Sequence, residues 1–528
     1  MAKERDKIIL QHWLFGMLPA LVFLVGKTIY ENHNLSGITD DLPRFFIALI
    51  LGGAVAGVAA ILFYRGLTWV KTLKVWAWIE RLLAWRYIYL GVWLFLTTVY
   101  MICFLAYYPG TFTYDMPSQT WQAYGYSTYN GHQPVVHTLL WAVFIRVGER
   151  LGNQELALVF YSVFQLVCVT AVSTIVISAV YRITKNGYAV LITFLYYLFV
   201  PMLHLMSFST TKDILYACFF TLFMLSLYEG MKEESRKNSL AIVVCGVVSC
   251  LLRNNMIYVI VIMLAVSVLI HSSMRLRLCL LAVIAFYICF VKVIFPAAGV
   301  EEGPKSEALP VPITQLSGMY VEHPELLSED EKKTILAYMP NAEAFNCRIA
   351  DYVKSSFNDE LLKEDPGSFF KIYFQVIRKA PVECLCLFLD LNVDYWYPDA
   401  SVPDPYAKRA YIETSAIEQL DFFSVSSENH LPVVRAFYDE VAAHTHWSMN
   451  LPVVEYFYSI AFPFMTLILC LYLAVRGRNR TSILPLTLLV ALFLTYLLGP
   501  VSIFRYLYPY YLSMPLYFGM AAKKGTER

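Results

Sequence analysis

Charge is what this chain has least of. Only 15% of its 528 residues are Asp, Glu, Lys or Arg, against about a quarter in a soluble globular protein. Set beside 58% hydrophobic residues, that scarcity excludes an ordinary soluble domain and points to a chain that crosses a bilayer many times. The net charge is +1, so no basic surplus suits a nucleic-acid partner. The first apolar run begins near Ile8 and no small-residue cleavage site follows it, so no cleavable signal peptide is expected. Most of the eleven cysteines lie inside apolar runs, as Cys103, Cys168 and Cys250 do, and read as small buried hydrophobes. Cys347, Cys384 and Cys386 fall in the one long polar segment, with the spacing of neither a disulfide framework nor a zinc site. No short-period repeat, heptad or low-complexity tract stands out.

What is abundant is apolar sequence in runs near the roughly 20 residues that a spanning helix needs. Such runs lie near 10–30, 44–64, 87–107, 154–181, 188–206, 213–230, 239–252, 256–271, 277–295, 456–475, 481–500 and 505–521. The expected fold is therefore an all-α polytopic membrane protein of about twelve transmembrane helices. Basic residues collect in alternate connections, for example Arg65, Lys71, Lys74, Arg81 and Arg86, then Lys232, Arg236 and Lys237, then Arg476, Arg478 and Arg480. By the positive-inside rule both termini are cytoplasmic. The loop 108–153 and the segment 296–455 then face outward, and 296–455 is expected to form a mainly helical extracytoplasmic domain. Its helices are expected near 325–338, 343–364 and 368–391, and an interfacial helix near Val135 to Leu151. Four regions follow: 1–86, with two helices and a basic loop; 87–295, a transmembrane core; 296–455, the outward domain; and 456–528, the last helices.

The polar groups then gather on one face. "YYPGTFTYDMPSQTWQAYGYSTYNGHQPVVHT", Tyr107 to Thr138, carries Asp115, His132 and His137. "TTKD" adds Lys212 and Asp213, and Arg253 and Arg505 come from later outward turns. Tyr107, Tyr108, Tyr114, Trp121, Tyr124, Tyr126 and Tyr129 surround them. A carboxylate beside aromatics suits proton abstraction from a hydroxyl with a sugar stacked alongside, and cations at a membrane border suit a lipid phosphate. Each group also has a plain structural reading: Asp115 as a helix cap, Lys212 and Asp213 as helix-start and headgroup residues, Arg505 as a snorkelling side chain, and the aromatics as an interfacial belt. Their co-location is what favours a site.

These segments resemble the GT-C superfamily of polytopic glycosyltransferases, most closely an uncharacterised bacterial branch. "YPGTFTYD" and "YNGHQPVVHTLLW" are similar to the first outward loop and the helix after it, and "STTKDILYACFF" to the Lys-Asp pair that opens a later span. "VPITQLSGMY" and "GPVSIFRYLYP" are similar to further motifs of that branch. The resemblance runs from roughly Arg86 to the C-terminus, and the first two spans look like an addition. It implies transfer of a sugar from a polyprenyl-phosphate carrier to a glycan, lipid or protein acceptor on the outer face of the cell membrane, with inversion. It implies Asp115 and Asp213 as the catalytic carboxylates, Asp115 being the base. It also implies Lys212, Arg253, Arg505, His132, His137, Tyr114 and Gln119 as substrate-binding residues. No cofactor is certain; a divalent metal is compatible with it, held by Asp115 and Asp213 with Asp390, Asp394 or Asp399.

Three other classes share this architecture, and one of them, a non-catalytic receptor whose outward domain binds a ligand, leaves the Asp115 loop and Lys212–Asp213 without a purpose. A lipid-linked sugar transporter or flippase needs ionisable groups at mid-membrane, and this chain offers chiefly Lys292, near the end of its span. A polysaccharide polymerase or ligase is expected to have Arg-rich outward loops, whereas 296–455 has only Arg348, Arg378, Arg409 and Arg435.

Overall fold

The structure is a computed structural model that describes residues 2–72, 77–112, 115–398, 419–443 and 446–523. Among these residues the regular secondary structure is helical, and extended pairing is limited to isolated bridges. The N-terminal hairpin is α1 (Ala2–Asn32) and α2 (Leu42–Thr72). Then follow α3 (Ile88–Ala106), α4 (Met116–Ala123), α5 (Val135–Arg150), α6 (Glu155–Thr184) and α7 (Gly187–Phe199). Next come α8 (Lys212–Lys232), α9 (Arg236–Leu252), α10 (Met256–Leu269) and α11 (Met274–Cys289). The polar segment holds α12 (Pro310–Glu322), α13 (Glu329–Tyr338), α14 (Pro366–Lys379), α15 (Pro381–Asn392) and α16 (Pro432–Ala442). The chain closes with α17 (Phe462–Arg476), α18 (Ile483–Tyr496) and α19 (Phe504–Ala522).

Six of the described helices are long and apolar enough to cross a membrane, and shorter apolar helices accompany them. Their outer surfaces are apolar as well. On α2, Ile47, Leu51, Val55 and Leu62 are 59%, 62%, 72% and 62% exposed, a stripe that water does not tolerate over such a length and lipid does. The chain is a multi-pass membrane protein.

Helix ends follow local chemistry. Thr211 caps α8, its hydroxyl accepting from the Asp213 N–H, and Ser273 caps α11 in the same way. The run expected at 188–206 breaks where Pro201 lacks the N–H that would continue α7, leaving a short second helix, Pro201–Met206. In the polar segment, the helix expected at 343–364 is instead three short turns. The one expected at 368–391 divides at Ala380, before Pro381, into α14 and α15. The stretch quoted as "VPITQLSGMY" is itself a helix, α12. An apolar core through the spanning helices includes Tyr100, Leu166, Val176, Phe220 and Leu489. A second core of Ile313, Leu316, Ile335, Phe369 and Val376 lies within 309–387, so this segment packs around its own interior.

The N-terminal hairpin is held by small residues. A Cβ at Gly16 would lie 2.1 Å from the Gly53 carbonyl oxygen and 2.5 Å from the Gly57 nitrogen, so backbones meet where side chains would part them. Gly16→Val is therefore expected to destabilise the protein by on the order of 1–3 kcal/mol, read as a fall in the thermal midpoint of the detergent-solubilised chain. Gly91→Ala, with nothing within 4 Å of its Cβ position, serves as the control that holds the midpoint or raises it slightly.

Candidate functional site

The site forms where the loop after α3 meets the start of α8. Gly110 makes that meeting possible: its φ is +111°, and a Cβ there would lie 2.3 Å from the Ser162 hydroxyl oxygen, so no other residue type fits. Thr111 then pairs with the 209–210 backbone, and its carbonyl accepts from both the N–H and the hydroxyl of Thr210. From α6, the Gln165 amide donates to the Ser207 and Ser209 carbonyls at 3.0 and 2.8 Å. The Asp115 loop and the "TTKD" turn are thus one stitched unit.

Two carboxylates and three cations converge on it. Asp115 Oδ2 lies 2.9 Å from Lys212 Nζ and 3.4 Å from Arg505 Nη1. Arg505 Nε lies 3.8 Å from Asp213 Oδ2, and Arg253 Nη1 closes on the other oxygen of Asp213. Asp115 does precede α4, but its side chain makes no capping bond; it turns to the cations instead. Burial disfavours its charge, yet Lys212 and Arg505 outweigh that and hold the carboxyl well below the usual carboxylate range. Being below the unfolded value near 3.9, it stabilises the fold at every pH above that value, and the contribution is lost only in stronger acid.

Depth separates the roles. The side chains of Asp115, Lys212 and Arg505 are 21%, 16% and 13% exposed, whereas that of Asp213 has no exposed surface. Asp213 sits in the first turn of α8, where the helix dipole favours an anion. Arg253 lies behind it, boxed by the rings of Tyr216, Tyr496 and Tyr506 at 5.6, 5.0 and 4.4 Å from its guanidinium carbon. Its Nε donates to Asn255 Oδ1 at 3.1 Å.

A polar chain enters from α6. His137 is fully buried, and its ring nitrogens lie 2.6 Å from Gln119 Oε1 and 2.6 Å from the Tyr161 hydroxyl. Burial, reinforced by the Lys212 charge, lowers its pKa to about 3, so it is neutral. With one proton on the ring, Nδ1–H donates to Gln119, and the single hydroxyl proton of Tyr161 lies between His137 Nε2 and Gln165 Oε1, which is 3.0 Å away. Gln119 reaches Gln133 at 3.5 Å, and Gln133 Oε1 accepts from Lys212 Nζ at 2.7 Å. His137 and Gln119 therefore lie behind Lys212 and fix where its ammonium points.

The remaining expectations divide. His132 meets Glu307 at 3.5 Å, where the 301 strand-like turn pairs with 130. Tyr114 and Asp399 lie outside the described residues. Trp121, Tyr124 and Tyr126 gather on Phe422, with centroids 4.8, 5.1 and 4.6 Å away. Tyr107 donates to Asp439 at 2.8 Å. The rings beside the cations are instead Tyr216, Tyr496 and Tyr506. Gln133 and these tyrosines escaped the sequence reading; adjacency to Arg505 in "FRYLYP" was the available signal for Tyr506. Asp390 and Asp394 converge on Arg348, at 2.9 and 2.8 Å, and not on Asp115. A cavity of about 940 Å³, lined by Lys185, Lys232 and Lys523 among apolar residues, includes none of the site residues.

Fold and site together define a multi-pass membrane protein with a charged cluster at one end of its helices. The chain belongs to the Family of unknown function (DUF6020), which matches residues 122–528. His132, His137, Lys212, Asp213, Arg253 and Arg505 fall inside the match, and Asp115 and Gln119 precede it. No curated protein and no solved structure matches the chain.

Two outcomes follow for the buried groups. Arg253→Met leaves the buried Asp213 with the longer Arg505 contact, at 3.8 Å, and is expected to destabilise by about 3–5 kcal/mol, with the Arg253→Met/Asp213→Asn pair recovering part of it in a thermal unfolding comparison. Because the folded-state pKa of His137 is depressed to about 3, an unfolded histidine binds its proton first, and stability falls as pH drops below about 6.5. His137→Gln should flatten that slope when midpoints are measured from neutral to acid pH.

Proposed function

We propose that this protein is a glycosyltransferase of the GT-C type, moving a sugar from a polyprenyl-phosphate carrier to an acceptor on the extracytoplasmic face of the membrane. The observation that carries the reading is the Asp115–Lys212–Arg505 cluster. It offers a partly exposed carboxylate and two partly exposed cations within one phosphate's reach of each other. The pattern of basic connections supports an outward site with cytoplasmic termini.

The ion pairs imply an order of events. Held by two cations, Asp115 is a weak base. A donor phosphate offers Lys212 and Arg505 a second anion, and by drawing them away it raises the basicity of Asp115 at the moment the substrate is in place. The acceptor hydroxyl then gives its proton to Asp115 while its oxygen bonds to the sugar's anomeric carbon. The bond from that carbon to the phosphate oxygen breaks, and the phosphate leaves with the electron pair, its charge met by Lys212 and Arg505. Asp213, without exposed surface, positions Arg505 and Arg253 in place of touching the reacting atoms. The segment 296–455, which pairs with the loop at Tyr129 to His132, caps the site and selects the acceptor.

A transporter reading finds less support. Lys292 is 69% exposed and faces Glu302 at 3.5 Å, and the charged groups cluster at one end of the helices. The test is sugar transfer from a panel of synthetic polyprenyl-phosphate sugars in membranes. Wild type transfers, and Asp115→Asn at equal protein level falls by about a hundredfold or more. Undiminished transfer in the variant removes Asp115 from the chemistry, and lipid-linked sugar crossing the bilayer without transfer gives the case to a transporter.

A further inference from the structure

A second cluster of reactive side chains lies away from Asp115, where the N-terminal hairpin meets the polar domain. His33 ends α1 with a left-handed φ of +59°. A ring nitrogen of His33, the Cys347 Sγ and a carboxylate oxygen of Asp390 all lie within 4.8 Å of one another. These donors come from three distant parts of the chain, so no sequence spacing marks them. We propose that His33, Cys347 and Asp390 bind a thiophilic divalent transition metal of the zinc class, tying the hairpin to the domain.

The donor chemistry favours such an ion over calcium or magnesium, because one imidazole and one thiolate suit a borderline-soft metal. The carboxylate is oriented for it. Asp390 Oδ1 accepts from Arg348 Nε at 2.9 Å, which leaves Oδ2 facing His33 Nδ1 at 2.6 Å. An outer partner that fixes a ligating carboxylate is the usual support of a metal site. Arg348 is itself seated, with Nη1 on Asp394 Oδ1 at 2.8 Å and its guanidinium 4.8 Å from the Tyr30 ring centre.

Charge balance points the same way. Asp390 and Asp394 share one guanidinium, and the half-buried Glu322 acts electrostatically on both His33 and Asp390. Two carboxylates thus face one arginine with Glu322 alongside, His33 and His323 are the nearby titratable bases, and His323 is engaged by Glu325 at 3.7 Å. A dication offsets most of that surplus together with the negative charge of the Cys347 thiolate. On binding, the Cys347 proton and any second proton on His33 pass to solvent. Metal bonds of about 2.0–2.3 Å set donors roughly 3–4 Å apart, so His33 and Asp390 need only separate slightly. A fourth position remains for water or Glu322.

The test uses the full chain in detergent, stripped with chelator and titrated with cobalt(II), then with zinc. The proposal expects one equivalent bound, a thiolate-to-cobalt charge-transfer band, displacement of that band by zinc, and a zinc-dependent rise in the thermal midpoint. Cys347→Ser should abolish the band. His33→Ala, at a half-exposed position, should weaken binding by about tenfold or more. Absence of the band overturns the assignment, and so does a band that survives Cys347→Ser, which would give the ligation to other cysteines. Sugar transfer is not the readout, so the result stands apart from the fate of Asp115.

Discussion

Everything about this site depends on a charge that has nowhere to go. Asp213 sits at the buried start of α8 with no exposed surface. A carboxylate taken out of water survives ionised only with partners, and removing one costs about 3–5 kcal/mol. Arg253 and Arg505 supply them, from a turn after α9 and from the first turn of α19. That requirement draws three distant segments to one point, and the surface pair Asp115–Lys212 is built on top of it. The buried layer gives rigidity, and the exposed layer keeps cations that an incoming anion can share.

The aromatic neighbours follow from the same constraint. A guanidinium is weakly hydrated and planar, so it can be enclosed by rings where an ammonium would lose its water. Arg253 is boxed by Tyr216, Tyr496 and Tyr506. Lys212, an ammonium, stays near the surface and is steered by an amide, Gln133. The neutral His137 lets that steering chain run through the interior without adding a charge next to Lys212.

Much of the frame was legible because membranes simplify the reading. Apolar runs had to become helices, since no other open structure satisfies its backbone in lipid; six of the described helices are long and apolar enough to span, and the run at 188–206 broke at Pro201. The approach of Asp115 to Lys212 and Arg505 was legible as co-location, because polar groups are too few to be scattered at random. What could not be read was direction. Trp121, Tyr124 and Tyr126 looked like sugar-stacking rings but pack on Phe422, a residue about 300 positions away that sequence proximity cannot reveal. The His33–Cys347–Asp390 cluster was invisible for the same reason. Helix breaks in the polar segment, at Ala380–Pro381 and between residues 343 and 364, were missed because amphipathic periodicity continues across a turn.

We propose that Asp115 and a donor phosphate compete for the same two cations. The direct measurement is the affinity of a polyprenyl phosphate without a sugar for wild type and for Asp115→Asn. The variant is expected to bind about tenfold more tightly, because the internal competitor has lost its charge, while Lys212→Met binds more weakly than wild type. Equal or weaker binding by Asp115→Asn would contradict it.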